Sequence, residues 1–270
     1  MIPTFCLMRV PKRAADTGWA RLNRMTLLPA KTTQCPVPPD FDHEAYGAIG
    51  RRLGAFSEER GWDGYASGFN AVAFRFAAAE EAHERFSASL SGADALSPAG
   101  PRYTQEEALF TFFVNAVSVI ECLYFALYNI GACLGSAAFH IHTPAELRAV
   151  HIVSTVKAFQ AAFPDDGLTS ELARVAESGE LRALKEHRDF LTHRGTPKRT
   201  HVVEMGLDRR VDMSAVTSAT ITSNPKDVPS AWISNMHVTP AMTKPPRSWL
   251  ATTVNGLLRS ADAFLAERGA

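Results

Sequence analysis

The sequence predicts an all-α fold, a helical bundle with a small irregular or β insertion before its last helix. Apolar residues recur at intervals of three and four along much of residues 43–268, which is the spacing of helices with one buried face. Residues 200–245 differ, because they are rich in β-branched residues and prolines, which favour short strands or irregular structure. Helices that each bury one apolar stripe must pack on one another, so a bundle is the expected architecture.

The length and charge of the chain limit its organisation and its partners. We expect residues 1–42 to form an N-terminal extension with a Pro-rich linker. Residues 43–270 are then a single helical domain, with an insertion at about 200–245. The 28 basic residues balance the 28 acidic ones, which argues against coating nucleic acid through bulk charge. A local basic site remains compatible with this balance.

Two amphipathic helices are predicted after the linker. The first covers residues 43–60 and the second covers residues 67–90. In the second helix, Phe69, Ala73 and Phe76 fall on one face, because they are separated by three or four positions. We expect these three side chains to enter the core.

A predicted loop at 91–102 precedes a long apolar helix. Thr104 is its expected N-cap, and Glu107 completes a capping box. The stretch 108–139 is long enough to span a bilayer, but Glu121 lies at its centre, where a charge is costly. A membrane span and a buried core helix are both open on these residues, and the central charge favours the core helix. We therefore predict no membrane association, and the four cysteines, none of which has CxxC spacing, are typical of reduced thiols in a cytoplasmic protein.

The signals for a helix start recur at residues 143–163. Thr143 is the expected N-cap, Pro144 lies in the first turn, and Glu146 completes a capping box. A short helix at 168–178 follows the break at PDDG. In the helix predicted at 143–163, the apolar stripe consists of Leu147, Val150, Val153 (or Ser154) and Val156.

The last two helices flank the predicted insertion. The first of them begins at 179 and is expected to stop before Gly195 and Pro197, as a C-terminal glycine and a downstream proline indicate. The second covers residues 248–268. Its predicted buried face consists of Leu250, Val254, Leu257, Leu258, Ala261 and Leu265.

An arginine interrupts the apolar face of the helix that begins at 179. Leu181, Leu184, Arg188 and Leu191 share this face, because they are three or four positions apart. Burial cannot neutralise a guanidinium, so Arg188 needs a partner, a ligand or contact with water. One alternative is structural, a buried salt bridge between Arg188 and Glu121.

Asp189 and His193 lie one turn apart on a neighbouring face of the same helix. A carboxylate in this position can accept a hydrogen bond from the imidazole and fix its tautomer and orientation. The helix dipole favours a protonated imidazole in the last turn. Alternatively, His193 only caps the last carbonyls of the helix.

The stretch RDFLTH at 188–193 resembles the motif of the HEPN superfamily, an arginine followed by a polar residue and, a few positions later, a histidine. Arg188, Asp189 and His193 take these places. The resemblance covers about residues 104–200, together with the last predicted helix, and it implies a HEPN-like helical bundle. Many HEPN proteins are metal-independent endoribonucleases, with toxin or RNA-targeting defence roles, that act as homodimers. Others bind only nucleotides or proteins.

The resemblance implies a role for each of the three catalytic candidates. His193 would act as general base or acid on the RNA 2′-hydroxyl and the leaving oxygen, and a homodimer would supply a second histidine. Arg188 would hold the phosphate, and Asp189 would orient the imidazole of His193. Neither a metal nor another cofactor is expected. RNA or a nucleotide would be the ligand, and an antitoxin or other protein would be a further partner.

Residues after the motif add a candidate RNA-binding patch. Arg194, Lys198 and Arg199 are close in sequence and can follow an RNA backbone, or they form an ordinary solvated loop. Tyr124 and Tyr128 can stack on bases, although their apolar neighbours favour packing in the core.

A histidine group gives only a weak indication of a metal site. His140, His142 and His151 are near one another in sequence, but no acidic residue completes the set at helical spacing.

Overall fold

The computed structural model describes residues 37–91, 99–193, 202–205, 209–212 and 240–269. Within these ranges the protein is an all-α bundle of eight helices, accompanied by one short pair of strands. The predicted all-α helical bundle is therefore confirmed.

The helices follow the chain in this order: α1 His43–Leu53, α2 Trp62–Ser91, α3 Ala99–Cys133, α4 Pro144–Arg148, α5 Ile152–Ala162, α6 Gly167–Ala176, α7 Gly179–His193 and α8 Lys244–Glu267. Short 3₁₀ turns lie at Gly54–Phe56 and Pro240–Met242. The strands β1 Val202–Met205 and β2 Arg209–Asp212 pair antiparallel, with Val203 opposite Val211. They lie in the predicted insertion, of which residues 200–201, 206–208 and 213–239 are outside the described ranges.

Helices α2 and α3 form a long hairpin at the centre of the bundle. A glycine allows them to approach closely, since a Cβ at Gly68 would lie 2.9 Å from the Phe125 ring and 3.2 Å from the Cys122 carbonyl oxygen. The predicted inward residues Phe69, Ala73 and Phe76 are all buried. Hydrophobic burial across this hairpin supplies much of the core.

Helix α3 is enclosed on most of its circumference by the other helices. The Tyr124 hydroxyl donates to the Leu172 carbonyl at 2.7 Å, and the Thr155 hydroxyl donates to the Tyr124 carbonyl at 3.3 Å. These bonds join α3 to α6 and α5 and satisfy polar groups that burial would otherwise leave unpaired. The span Tyr103–Cys133 is long and apolar enough to cross a membrane, but 61% of its most apolar window is buried within the protein. This burial is compatible with the core helix of a soluble protein.

Helix α8 closes the bundle and holds the segment before α1. All six residues of its predicted inner face are buried. The Asn255 side chain accepts from the Asp42 amide at 2.9 Å and donates to the Asp40 carbonyl at 2.6 Å. Phe41 is buried in the same core. Residues 37–42, which the sequence assigns to the linker, are therefore packed against the helical domain.

Several predicted helix boundaries are wrong, among them the start of the helix predicted at 67, which begins at Trp62 as α2. Helix α1 ends at Leu53 rather than near 60, because a 3₁₀ turn begins at Gly54. Helix α3 begins at Ala99, so Thr104 lies inside the helix and cannot be its N-cap. Glu107 instead accepts from the Thr111 hydroxyl at 2.9 Å. A capping-box pattern within a helix is thus used for side-chain pairing.

The segment 143–163 forms two helices rather than one. The capping box at Thr143 is confirmed, since Glu146 N donates to its hydroxyl and the Glu146 carboxylate accepts from Thr143 N. The backbone is extended at His151, whose ring accepts from Ser154 N at 3.0 Å and starts α5. Because the helix is interrupted here, the side chains of α5 do not continue the angular spacing that a single helix over 143–163 would have. The predicted stripe is therefore wrong at Leu147 and Val153, which are exposed, and the residues buried instead are Ile152, Thr155, Ala158 and Phe159.

Candidate functional site

Helix α7 is anchored to the bundle through its first two turns and one aromatic residue near its end. Leu181, Leu184 and Phe190 are buried, while Leu191 is only partly buried. The Ser178 hydroxyl accepts from the Leu181 amide at 3.2 Å and helps to start the helix. The predicted face is thus confirmed at Leu181 and Leu184, and Phe190 is the inward residue that the pattern missed.

Arg188 lies at the surface between two carboxylates. Its Nε donates to Asp189 Oδ1 at 2.9 Å, and its Nη1 donates to Glu121 Oε1 at 3.2 Å. The Arg188 side chain is 27% exposed, and the Glu121 and Asp189 side chains are 46% and 47% exposed. The contact with Glu121 agrees with the structural alternative, but the pair is not buried. The guanidinium therefore remains in contact with water.

His193 is exposed at the C-terminal end of α7. Among the described residues, no hydrogen bond joins His193 to Asp189, because the Asp189 carboxylate faces the Arg188 guanidinium instead. On an ideal helix the five positions from Arg188 to His193 turn the chain by about 140° and raise it by about 7.5 Å. One chain therefore offers the two side chains in different directions at the same end of the helix.

His187 is a site residue that the sequence does not reveal. Its ring stacks on Phe113 of α3, with centroids 4.8 Å apart and planes 14° apart. Its Nδ1 lies 2.6 Å from the Ala183 carbonyl oxygen, so Nδ1 carries the proton and donates. His187 therefore helps to orient α7 on α3 beside Arg188. A histidine four positions after an alanine gives no signal of this stacking.

The predicted RNA-binding residues Arg194, Lys198 and Arg199 lie outside the described residues. In the described part of the site, one guanidinium faces two carboxylates. The formal charge of this group is −1, since one positive and two negative charges are present. An approaching phosphate therefore needs additional positive charge from elsewhere.

The other candidates take structural positions. Tyr124 and Tyr128 are buried in the core, as expected from their apolar neighbours. His151 caps α5, and His142 contacts Arg60. Among the described residues, no group of three His, Cys, Asp or Glu side chains has the arrangement of a metal site.

Comparison of the chain with models of protein families, with curated proteins and with solved structures finds no match. The resemblance to HEPN proteins therefore depends on the motif Arg188, Asp189 and His193 and on its setting in the bundle.

Proposed function

We propose that this protein is a metal-independent endoribonuclease of the HEPN type, which cuts single-stranded RNA at a composite site formed by two copies of the chain. The observation that carries the proposal is the surface position of Arg188, five residues before the exposed His193 on one helix. In this position the guanidinium can be reached by a ligand as well as by its two carboxylate partners. The proposed biological setting is a cytoplasmic toxin or RNA-targeting defence protein, with an antitoxin or other protein as partner.

The two carboxylates give Arg188 a fixed orientation. Nε and one hydrogen of Nη1 are engaged by Asp189 and Glu121, which leaves Nη2 as the part of the fork that can approach a phosphate. A guanidinium held in this way loses little rotamer freedom when it binds an anion. Asp189 thus orients Arg188, whereas the sequence suggested that it orients His193.

The proposed chemistry uses the RNA itself as nucleophile. His193 of one copy removes the proton of the 2′-hydroxyl, and the 2′-oxygen attacks the adjacent phosphorus. The bond from phosphorus to the 5′-oxygen breaks, and His193 of the other copy gives that oxygen a proton. Arg188 stabilises the additional negative charge of the transition state. The products are a 2′,3′-cyclic phosphate and a 5′-hydroxyl, and DNA is not a substrate because it lacks the attacking group.

A second candidate is a non-catalytic HEPN-like module that dimerises or binds a nucleotide or a protein. The charge of the described site favours it, since two carboxylates outnumber the single guanidinium and repel phosphate. In this case Arg188 connects α7 to α3, and His193 has no chemical role.

Cleavage of RNA in excess EDTA separates the two candidates. We expect the full chain to cut a single-stranded RNA oligonucleotide and to leave the DNA oligonucleotide of the same sequence intact, with cyclic phosphate ends detected by mass spectrometry. His193→Ala should lower the rate by about 100-fold or more, the usual contribution of a general acid or base. The matched control is His140→Ala, which removes an exposed histidine far from α7 in sequence.

Cleavage that survives in His193→Ala, or that requires added magnesium, would contradict this chemistry. A chain that binds the RNA but does not cut it would leave the non-catalytic module as the better description. Circular dichroism should show that both variants remain folded.

A further inference from the structure

The two carboxylates that hold Arg188 come from different parts of the fold. Asp189 is the next residue of α7, and its Oδ1 accepts from Nε at 2.9 Å. Glu121 belongs to α3, and its Oε1 accepts from Nη1 at 3.2 Å. It is the single acid of the apolar stretch 108–139. Of these two contacts, the one with Glu121 is therefore the one that joins two helices.

The positions of these contacts decide how an anion can reach the guanidinium. A guanidinium binds a phosphate most strongly through two parallel N–H bonds from neighbouring nitrogens. Nε with Nη2 forms one such pair, and Nη1 with Nη2 forms the other. Asp189 contacts Nε, and Glu121 contacts Nη1. While both carboxylates stay in place, a phosphate that makes two bonds must share a nitrogen with a group of its own charge.

Glu121 is the carboxylate that can leave. The backbone keeps Asp189 next to Arg188, whereas the longer Glu121 side chain is 46% exposed and can turn toward water. An exposed ion pair contributes little to stability, so breaking it costs the fold little. Helix α7 also keeps another contact with α3, because the His187 ring stacks on Phe113. The guanidinium can therefore exchange Glu121 for a ligand while α7 stays on the bundle.

We propose that Glu121 is a positioning residue that competes with an anionic ligand for Arg188, holding the guanidinium until a phosphate takes its place. This inference rests on the proposed function for the identity of the ligand, which is the phosphate backbone of single-stranded RNA. Without the charge of Glu121 the formal charge of the group rises from −1 to 0, since Arg188 and Asp189 then balance. Glu121 therefore lowers the affinity of the site for phosphate, and a neutral replacement raises it.

Binding of a short single-stranded RNA oligonucleotide, methylated at every 2′-oxygen, tests this competition. Methylation removes the proposed nucleophile, so fluorescence anisotropy at about 0.1 M salt measures binding without cleavage. We expect Glu121→Gln to bind about threefold more tightly than the wild type, because a like charge beside the phosphate is lost while the amide oxygen can still accept from Arg188. Glu121→Ala is a second variant, for use if Glu121→Gln does not fold.

The matched control is Glu107→Gln. Glu107 lies on the same helix, pairs with Arg85 at 3.1 Å and has a side chain that is 36% exposed. On an ideal helix it is about 21 Å from Glu121, and salt largely screens exposed charges over this distance. Its RNA affinity should therefore equal that of the wild type. The double variant Glu121→Gln with Arg188→Met should lose the gain in affinity, because the competition acts through Arg188.

The outcomes separate this competition from the ribonuclease proposal. Tighter binding by Glu121→Gln supports the competition, even if unmodified RNA is not cut. Equal or weaker binding by the folded Glu121 variants would overturn it and leave Glu121 as a link between α3 and α7, even if the wild type cuts RNA. The same gain in Glu107→Gln, or a gain that persists without Arg188, would also overturn it. If neither the wild type nor Glu121→Gln binds the oligonucleotide, Arg188 is not a phosphate site and both proposals fail.

Discussion

Two arginines in this protein are each held by two carboxylates, and they lie in different environments. Arg188 contacts Glu121 and Asp189, with a side chain that is 27% exposed. Arg247 of α8 contacts Asp40 and Glu80, with a side chain that is 18% exposed. The partners of Arg188 belong to α3 and to its own helix, whereas those of Arg247 come from the segment before α1 and from α2.

The electrostatics of the Arg247 group indicate a structural role. The hydrogen bond from Arg247 holds the pKa of the Asp40 carboxyl below its usual value, and the bonds to Asp40 and Glu80 raise the pKa of Arg247. The Arg247 guanidinium also lies 5.7 Å from the centroid of the Phe76 ring, which is buried. This arginine therefore joins three parts of the fold. The ion pairs of Arg188, by contrast, join only α7 and α3. The Arg188 guanidinium also stays accessible to a ligand.

Replacing Arg188 should produce the largest effect, and this effect should be a loss of RNA cleavage. We expect Arg188→Met to reduce RNA cleavage by about 100-fold or more, because a donor to the transition-state charge is lost. Arg188→Lys should recover little, since an ammonium does not reproduce the guanidinium fork. The matched control is Arg182→Met, an exposed arginine on the same helix.

The free energy of unfolding of Arg188→Met should differ from that of the wild type by less than about 1 kcal/mol, because its ion pairs are exposed. Urea denaturation measures this difference. A larger loss of stability, with cleavage intact in the folded fraction, would make Arg188 a structural residue like Arg247.

Replacing Arg247 should produce the opposite result. Arg247→Met should reduce the free energy of unfolding by about 2 kcal/mol, because Glu80 and Asp40 lose their common partner in a partly buried place. Cleavage by the folded variant should stay at the wild-type level at low temperature. Arg259→Met is a suitable control, since Arg259 is 65% exposed and lies on the same helix. Equal stability of Arg247→Met and Arg259→Met in urea would remove the contrast between the two arginines.

The contrast also shows what the sequence predicts and what it does not. Arg188 is predictable, because it interrupts a regular apolar stripe, and Glu121 is a recognisable partner as the single acid of the apolar stretch 108–139. The exposure of this pair is not predictable, since it depends on where the neighbouring helices end. The sequence gives no indication of the structural role of Arg247, because this residue follows two prolines and contacts a carboxylate 207 positions away in the chain. Contacts between distant segments depend on tertiary packing, which local patterns do not contain.

Which side of a helix faces inward is the other property that the sequence predicts only in part. The buried face of α8 is predicted correctly because nothing interrupts its helical spacing over the six residues concerned. In residues 143–163 a single extended residue, His151, separates two helices and changes which side chains face inward. A histidine as N-cap is uncommon, so the pattern did not reveal the break.

Acid should weaken the Arg247 group in a predictable direction. The folded pKa of Asp40 lies below its ordinary value of 3.8 because Arg247 donates to it. Its contribution is therefore present above the unfolded pKa and is lost as the pH falls through the folded pKa. We expect the wild type to lose more unfolding free energy than Arg247→Met between pH 5 and pH 3, roughly the interval in which the Asp40 carboxyl of the unfolded chain takes up its proton. Parallel losses measured by urea denaturation across this window would contradict the assignment.

The smallest expected effect concerns His83, which lies beside the Arg247 group. Its Nδ1 lies 2.9 Å from the hydroxyl of Thr243, which is buried at the start of α8. Burial lowers the pKa of His83 from its ordinary value of 6.5, helped by Arg247 and Lys244 on α8 and opposed by Glu80 and Glu84 on its own helix. Because the folded pKa is depressed, the stabilising contribution is complete above the unfolded pKa and is lost as the pH falls toward the folded pKa.

We therefore expect the wild type to lose a small part of its unfolding free energy as the pH falls below 6.5, because His83 is only partly buried. His83→Gln retains a group that can bond to Thr243 but cannot titrate, so its stability should vary less over the same interval. Both proteins should respond alike above pH 7.5, roughly a unit beyond the ordinary histidine pKa, where His83 is neutral. Urea midpoints at both pH values measure the difference. A steeper loss in His83→Gln than in the wild type would show that protonation of His83 strengthens, rather than weakens, the junction of α2 and α8.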